Sequence, residues 1–142
     1  MSGVRLPDDI KPVMENGIPA VMVTCSAAGV PNATVISQVY YVDDTHVALS
    51  FQFFSKTIQN VRENPRAFVC LNDLAGHAHW VLDLEFQHSE TEGPIFDVME
   101  MRIEAIASAT GMSGIFKLRA ADIYRLLSVA RKPYAVVAAA SR

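Results

Sequence analysis

A serine, a lysine and a threonine stand side by side at residues 55–57, and together these side chains suit the binding of an anion such as a phosphate. They lie where the alternation of a strand that ends at Phe51 changes into the helical spacing of Ile58 and Val61. The first turn of a helix adds free backbone amides and the positive end of the helix dipole. The sequence therefore predicts a phosphate site with Ser55 as the helix N-cap; the plainer alternative is a capped surface helix with a solvated lysine.

The elements that would position this site are mostly strands. Asn64 and Pro65 end the short helix, because the residue before a proline is forced out of the helical region. Turn residues separate the strands at short intervals, which favours a mainly β fold with a few helices, a closed or split six-stranded antiparallel β-barrel, as a single domain over residues 1–142. The predicted strands are residues 19–26, 32–41, 46–51, 66–72, 80–88 and 115–129, and further helices are predicted over residues 8–16 and 96–110.

Several short motifs resemble those of the flavin-binding split-barrel family of the pyridoxamine 5'-phosphate oxidase type. A strand ending at Ser50 and Phe51 leads into the Ser-Lys-Thr turn at residues 55–57 and then into Asn-Pro-Arg at residues 64–66. Upstream, Gly-Val-Pro at residues 29–31 precedes a strand, as in the family hairpin that opens the strand beside the flavin. The resemblance follows the order of elements from about residue 15 to residue 129, and residues 50–66 carry its specific letters.

The resemblance implies a homodimer that binds FMN in two symmetric clefts at the subunit interface. It places the FMN phosphate on the turn at residues 55–57 and the ribityl chain and ring edge along residues 35–38, with the backbone groups of Ser50 and Phe51 on the other side. The amide of Gln52 could both donate to and accept from a flavin. The cofactor-binding residues expected from the resemblance are Val35, Ile36, Ser37, Gln38, Ser50, Phe51, Gln52, Ser55, Lys56 and Thr57.

The chain departs from the oxidase itself at positions that matter for its substrate. Ser37, Gln38 and Thr57 stand where the oxidase has basic residues, and the C-terminal Trp and Arg region for the vitamin substrate is missing. Pyridoxamine phosphate oxidase activity is therefore not expected. The predicted function is an FMN-dependent oxidoreductase of unknown substrate and unknown catalytic residues. The alternatives are a non-catalytic flavin module or sensor, and a split-barrel relative that binds a deazaflavin or haem.

Composition excludes several other classes of protein. With 142 residues, 51% hydrophobic and 19% charged, the chain is a folded domain, and a net charge of -3 with scattered basic residues argues against nucleic-acid binding. There is no membrane-length apolar run and no signal core at the N-terminus, so a cytoplasmic protein is expected. Cys25 and Cys70 are expected to be buried thiols, and His77 with His79 supplies only two metal ligands, so no metal site is predicted.

Large apolar residues are more numerous than one small barrel interior is expected to hold, which provides a second reason to expect a homodimer. They lie on one face of the fifth strand and along the last helix: Trp80, Leu82, Leu84, Phe86, Phe96, Met99, Ile103 and Ile106.

Overall fold

The computed structural model describes residues 3–51, 55–112 and 117–134, with the backbone alone for Ser55. Gln52 and the Ala-rich tail at residues 135–142, both noted in the sequence, lie outside the described residues. A 3-10 turn (Asp8–Ile10) precedes three helices, α1 (Lys11–Met14), α2 (Ser55–Glu63) and α3 (Pro94–Ala109). The strands are β1 (Ala20–Cys25), β2 (Pro31–Ile36), β3 (Val39–Asp43), β4 (His46–Phe51), β5 (Arg66–Asp73), β6 (Ala78–Glu90) and β7 (Ala120–Pro133).

The strands form one antiparallel sheet in the order β2-β1-β5-β6-β7-β4-β3. β2 and β3 are the two ends of this order, yet they follow one another in the chain, so the bend between them closes the sheet into a barrel. The predicted barrel is confirmed, with seven strands instead of six. The extra strand arises because the ladder of β2 with β1 ends at Ile36 and the ladder of β3 with β4 begins at Val39. The predicted strand over residues 32–41 therefore breaks at Ser37 and Gln38.

The barrel interior is the main hydrophobic core, and its clearest sequence signal is the alternation in β6. Trp80, Leu82 and Leu84 are buried inside, whereas Asp83 and Glu85 on the opposite face of the strand point outward and are only partly buried. A second core forms where α3 covers the outer face of β4 and β7. Its buried members are Ala48, Met99, Ile103, Leu118, Ala121 and Ile123.

These two cores overturn one reason for expecting a homodimer. Most of the apolar residues thought to exceed the capacity of a single chain are buried within it, because α3 provides a second core outside the barrel. Ile106 is the exception that stays exposed, at 40%. Exposed apolar side chains occur instead on the outer face of β2, β1 and β5, at Val35, Val21 and Phe68.

The predicted element bounds are mostly close to the observed ones. α2 ends at Glu63, just before Asn64 and Pro65, as predicted. The last strand was predicted too early, since β7 begins at Ala120 and runs to Pro133. Leu118 precedes this strand and is buried in the second core. The apolar character of this position therefore reflects packing against α3 and not a strand ladder.

Cys25 and Cys70 are free thiols but only half-buried, because each faces outward from its strand.

Candidate functional site

The predicted phosphate turn lies at the first turn of α2, a nine-residue helix. Lys56 is exposed and forms no ion pair with any residue in the described ranges, so its ammonium group is left for a ligand or for water. The helix start adds backbone amides without helical partners and the positive end of the dipole. The Ser55 side chain, predicted as the N-cap, lies outside the described residues. The described part of this turn therefore has the charge and the amides that an anion requires.

Two side-chain hydrogen bonds fasten α2 to the hairpin of β1 and β2. Asn32 Nδ2 donates to Thr57 Oγ1 over 3.3 Å, and Asn60 Nδ2 donates to Thr24 Oγ1 over 3.1 Å. Thr57, Asn60 and Thr24 are all buried, at 3%, 0% and 2% exposure. Thr57 accepts the bond from Asn32, and no residue in the described ranges is recorded as accepting its own hydroxyl hydrogen. These bonds hold the helix start next to the beginning of β2.

The four residues expected along the cofactor do not share one environment. Val35 points outward and is 59% exposed, whereas Ile36 is fully buried in the barrel core, so only the backbone of Ile36 could meet a ligand. Ser37 Oγ lies 3.4 Å from Ser50 Oγ, which joins the bend to the end of β4. Gln38 is 93% buried, with 7% of its surface exposed. Residues 35–38 are therefore the end of β2 followed by a bend.

The position of α2 brings the predicted phosphate turn close to the start of β2, the strand that leads to residues 35–38. Thr57 bonds to Asn32, and Val35 follows three residues later on the same strand. At about 3.3 Å per residue, residues 35–38 lie about 10 to 20 Å from Asn32 along the chain. A molecule with a terminal phosphate and an extended body would therefore run from the start of α2 along the end of β2.

At the end of β4, the backbone groups that the resemblance assigns to the flavin already form hydrogen bonds within the barrel. The Ser50 amide donates to the Gln38 carbonyl over 3.4 Å, and the Phe51 carbonyl accepts from the Arg119 amide over 2.8 Å. Both residues also pair with β7. The Ser50 side chain is buried beside Ser37, so any contact from Ser50 would involve its hydroxyl and not its backbone amide.

Three polar residues in this region were not singled out from the sequence. Asn32, Asn60 and Thr24 fix α2 against the sheet, and they gave no signal because asparagine and threonine occur in many turns and strands. Only the tertiary contacts reveal their role.

A buried carboxyl lies on β7, opposite Leu49 of β4. Asp122 on β7 is 3% exposed, and burial raises its pKa, although Ser89 Oγ donates to Asp122 Oδ1 over 2.6 Å and lowers it in part. Burial, followed by the Asp122 charge, also raises the pKa of Tyr124. Both shifts show that burial makes a charge costly inside the barrel.

The histidine pair noted in the sequence does not form a ligand set. His77 lies in a turn with φ of 52°, and His79 stacks on Tyr134 with ring centroids 6.3 Å apart. Across the described ranges, no group of three or more His, Cys, Asp or Glu residues could hold a metal ion. None of the helices in those ranges is long and apolar enough to span a membrane, and a cytoplasmic location stays a prediction.

Comparison with known proteins identifies the family. The sequence model of the pyridoxamine 5'-phosphate oxidase family matches residues 6–124. The chain therefore belongs to the pyridoxamine 5'-phosphate oxidase family. A search of curated proteins finds no significant match.

Three solved structures illustrate the range of proteins with this fold. An FMN-binding protein from Syntrophomonas wolfei has 16% identity and a TM-score of 0.69, covering 85% of this chain and 82% of that one. An F420 reductase has 10% identity and a TM-score of 0.64, covering 88% and 98%. The heme storage protein HutZ from Vibrio cholerae has 15% identity and a TM-score of 0.57, covering 90% and 95%. At these identities the likeness establishes the fold alone.

Proposed function

We propose that this protein binds FMN, with the phosphate at the start of α2 and the ribityl chain and ring along the end of β2. The observation that carries the proposal is Lys56, which is exposed and has no ion pair among the described residues, at a helix start that Thr57 and Asn32 hold beside β2. An FMN-binding protein among the structural neighbours supports it.

The described residues fit the chemistry of FMN. A dianionic phosphate needs a cation and N–H donors, which Lys56 and the first turn of α2 supply. The apolar side chain of Val35 is exposed three residues along β2 from Asn32 and offers a surface to the ring system, and the partly buried Ser37 hydroxyl lies two residues further along the chain.

The phosphate can be tested by comparing two flavins that differ in that group alone. Calorimetric titration of the full chain is expected to show FMN binding much more tightly than riboflavin, because riboflavin lacks the dianion. Equal affinities would remove the helix start from the site. An absorption spectrum of the purified protein distinguishes oxidised flavin from a deazaflavin or haem, the cofactors suggested by the names of two structural neighbours.

We further propose an oxidoreductase, since bound FMN supplies reversible two-electron chemistry. A reduced nicotinamide should bleach the flavin absorption under anaerobic conditions, and readmitted oxygen or another acceptor should restore it. A flavin that binds but accepts no electrons from any reduced nicotinamide would favour the non-catalytic module. The physiological substrate is a separate question.

We also propose a homodimer, through a surface different from the one suggested by the sequence. Across the outer face of four adjacent strands, Val35 pairs with Val21, Val21 with Cys70, and Cys70 with Val81. Phe68, one row away on β5, is 47% exposed. Exposed apolar rows of this kind are typical of protein interfaces. Val35 belongs both to this row and to the expected cofactor stretch, so the dimer would border the flavin site.

The dimer is tested by placing a charge on this row. Phe68→Glu should shift the mass measured by light scattering from about twice the 15.6 kDa of one chain to that of a monomer, because a carboxylate would be desolvated at the interface. Leu74→Glu is the matched control, since Leu74 is also exposed, at 61%, but lies in the turn after β5. A monomeric wild-type chain, or a dimer unaffected by Phe68→Glu, would contradict this interface.

A further inference from the structure

One side of α2 carries a row of three polar residues at a spacing of three, Thr57, Asn60 and Glu63. Each has a hydrogen bond to the hairpin of β1 and β2, and the pairs are Thr57 with Asn32, Asn60 with Thr24, and Glu63 with Ala27. In the third pair, Glu63 Oε1 accepts from the Ala27 amide over 3.2 Å. Polar contacts therefore join one side of the helix to a single hairpin, from the first turn to the last residue.

The first two bonds of this row set the direction of the helix. Thr24 and Asn32 lie directly opposite each other in the ladder of β1 and β2. Neighbouring strands lie about 4.8 Å apart and three residues of helix rise about 4.5 Å, so Thr57 and Asn60 match the spacing of the two strands. Because Thr57 comes before Asn60, α2 runs from β2 towards β1. Its first turn, with Lys56, therefore lies at β2, the strand at one end of the sheet.

Asn60 is not the residue that stability alone would favour at its position. It is fully buried, its Nδ2 donates to Thr24, and its Oδ1 has no hydrogen-bond partner within the described chain. A half-bonded buried amide is costly, and an apolar pair of the same shape is often as stable. Val61, the next residue, already anchors α2 in the main core by apolar contact. Apolar contact has no preferred direction, whereas a hydrogen bond has one, so Asn60 adds orientation.

We propose that Asn60 is a positioning residue for phosphate recognition, because its bond to Thr24 sets the rotation and register of α2 and thereby the place of Lys56 and the first-turn amides. Thr57 acts in the same way, since its side chain is only 3% exposed and its oxygen is bonded to Asn32. This role rests on the proposed FMN site and adds to it the residue that orients the phosphate end.

The test removes both partners of the bond together. Thr24→Val combined with Asn60→Leu keeps the branched outlines of the two side chains without their polar atoms, so the free energy of unfolding in urea should not fall. In calorimetric titrations of the full chain, the preference for FMN over riboflavin should fall about tenfold, the equivalent of one hydrogen bond to a charged group. Riboflavin affinity should not change, because riboflavin has no phosphate. A stable double variant with wild-type FMN affinity would overturn the proposal.

Single variants of Thr24 provide a matched pair, because serine keeps the hydroxyl that accepts from Asn60 and valine does not. Thr24→Ser should retain the wild-type preference for FMN, and Thr24→Val should reduce it. Glu63→Ala is the control, since it removes a bond of the same row at the last residue of α2 and should leave the preference unchanged. Equal losses in the serine and valine variants, or a loss in Glu63→Ala as large as in the double variant, would contradict this role.

Residual dipolar couplings of the ligand-free chain separate this role from the flavin proposal. They measure the orientation of α2 relative to the barrel without any FMN. The double variant should change the couplings of α2 and leave those of the strands as they are, whereas Glu63→Ala should change neither. An unchanged α2 in the double variant would overturn the role of Asn60 alone. A reoriented α2 in a protein whose wild type binds no FMN would refute the flavin proposal and leave the orienting bond in place.

Discussion

The two ends of the segment from β2 to the start of β3 treat polar side chains in opposite ways. At the first end, Asn32 bonds to Thr57, and the neighbouring Lys56 is exposed with no ion pair in the part of the chain that the structure describes. At the other end, Gln38 is buried and its amide has no partner in the described chain. The first end holds a cation in water at little cost, and the second holds an amide away from water at a cost in stability.

This difference predicts which measured property depends on the polar group at each end. An exposed lysine gains mainly from charge when an anion arrives, so the effect should depend on the phosphate and on salt. A buried amide without hydrogen-bond partners costs stability, so its removal should change the free energy of unfolding. Substitution of Lys56 should therefore change the affinity for FMN, and substitution of Gln38 should change the free energy of unfolding.

The largest expected effect is at the first end. Lys56→Ala should weaken FMN binding by about 1.5 to 3 kcal/mol, roughly tenfold to a hundredfold in Kd, because it removes a hydrogen bond to a charged group. The fold should be unaffected, since the side chain is exposed. Calorimetric titration measures the change, with Arg62→Ala in the last turn of α2 as the control. Equal losses in the two variants would make Lys56 an ordinary surface charge.

The next effect concerns the attachment of α2. Asn60→Ala should lower the free energy of unfolding by about 1 to 3 kcal/mol, because the buried Thr24 hydroxyl loses its partner. Urea denaturation measures this, and Gln59→Ala, at an exposed neighbouring position, provides the reference. If both variants are equally stable, the bond between α2 and β1 contributes nothing to holding the helix.

The second end should respond with the opposite sign. Gln38→Leu should raise the free energy of unfolding by about 1 kcal/mol, because it removes a buried donor and acceptor without partners and keeps the volume. The same urea experiment tests it. A destabilised Gln38→Leu variant would show that the amide is satisfied in solution, and the contrast between the two ends would be lost.

The smallest effect tests whether the cost of buried polar groups extends to the barrel interior, at Asp122. Its pKa is raised, so the folded chain keeps a proton that the unfolded chain loses, and stability falls as pH rises from 3.8 through the raised pKa. Asp122→Asn should therefore be more stable than the wild type at pH 7, with the gain disappearing below pH 3.8. The bond from Ser89 limits this gain.

Thermal melting as a function of pH measures the effect of Asp122→Asn. Asp9→Asn is the control, because Asp9 is exposed. A gain that stays constant with pH would mean that the carboxylate is not the source of the cost.

Much of the fold was predictable because it depends on local patterns. The alternation in β6 from Trp80 to Leu84 identified the inner face, and Pro65 identified the end of α2. The split of one predicted strand at Ser37 and Gln38 was not predictable, since it depends on which neighbour each half pairs with. The Lys56 turn was found from the sequence because cation, hydroxyls and helix start are adjacent in the chain.

The sequence by itself determined the barrel class, the family likeness and the place of a lysine and two hydroxyl residues at a helix start, because short-range periodicity and contiguous motifs encode them. Only the tertiary structure decided which apolar faces are covered: α3 buries Met99 and Ile103, while Val21 and Phe68 stay exposed. It alone brought Gln38 together with Leu71 and Ile106 around one cavity. The physical reason is that burial and cavity shape depend on contacts between residues far apart in the chain, which no local pattern records.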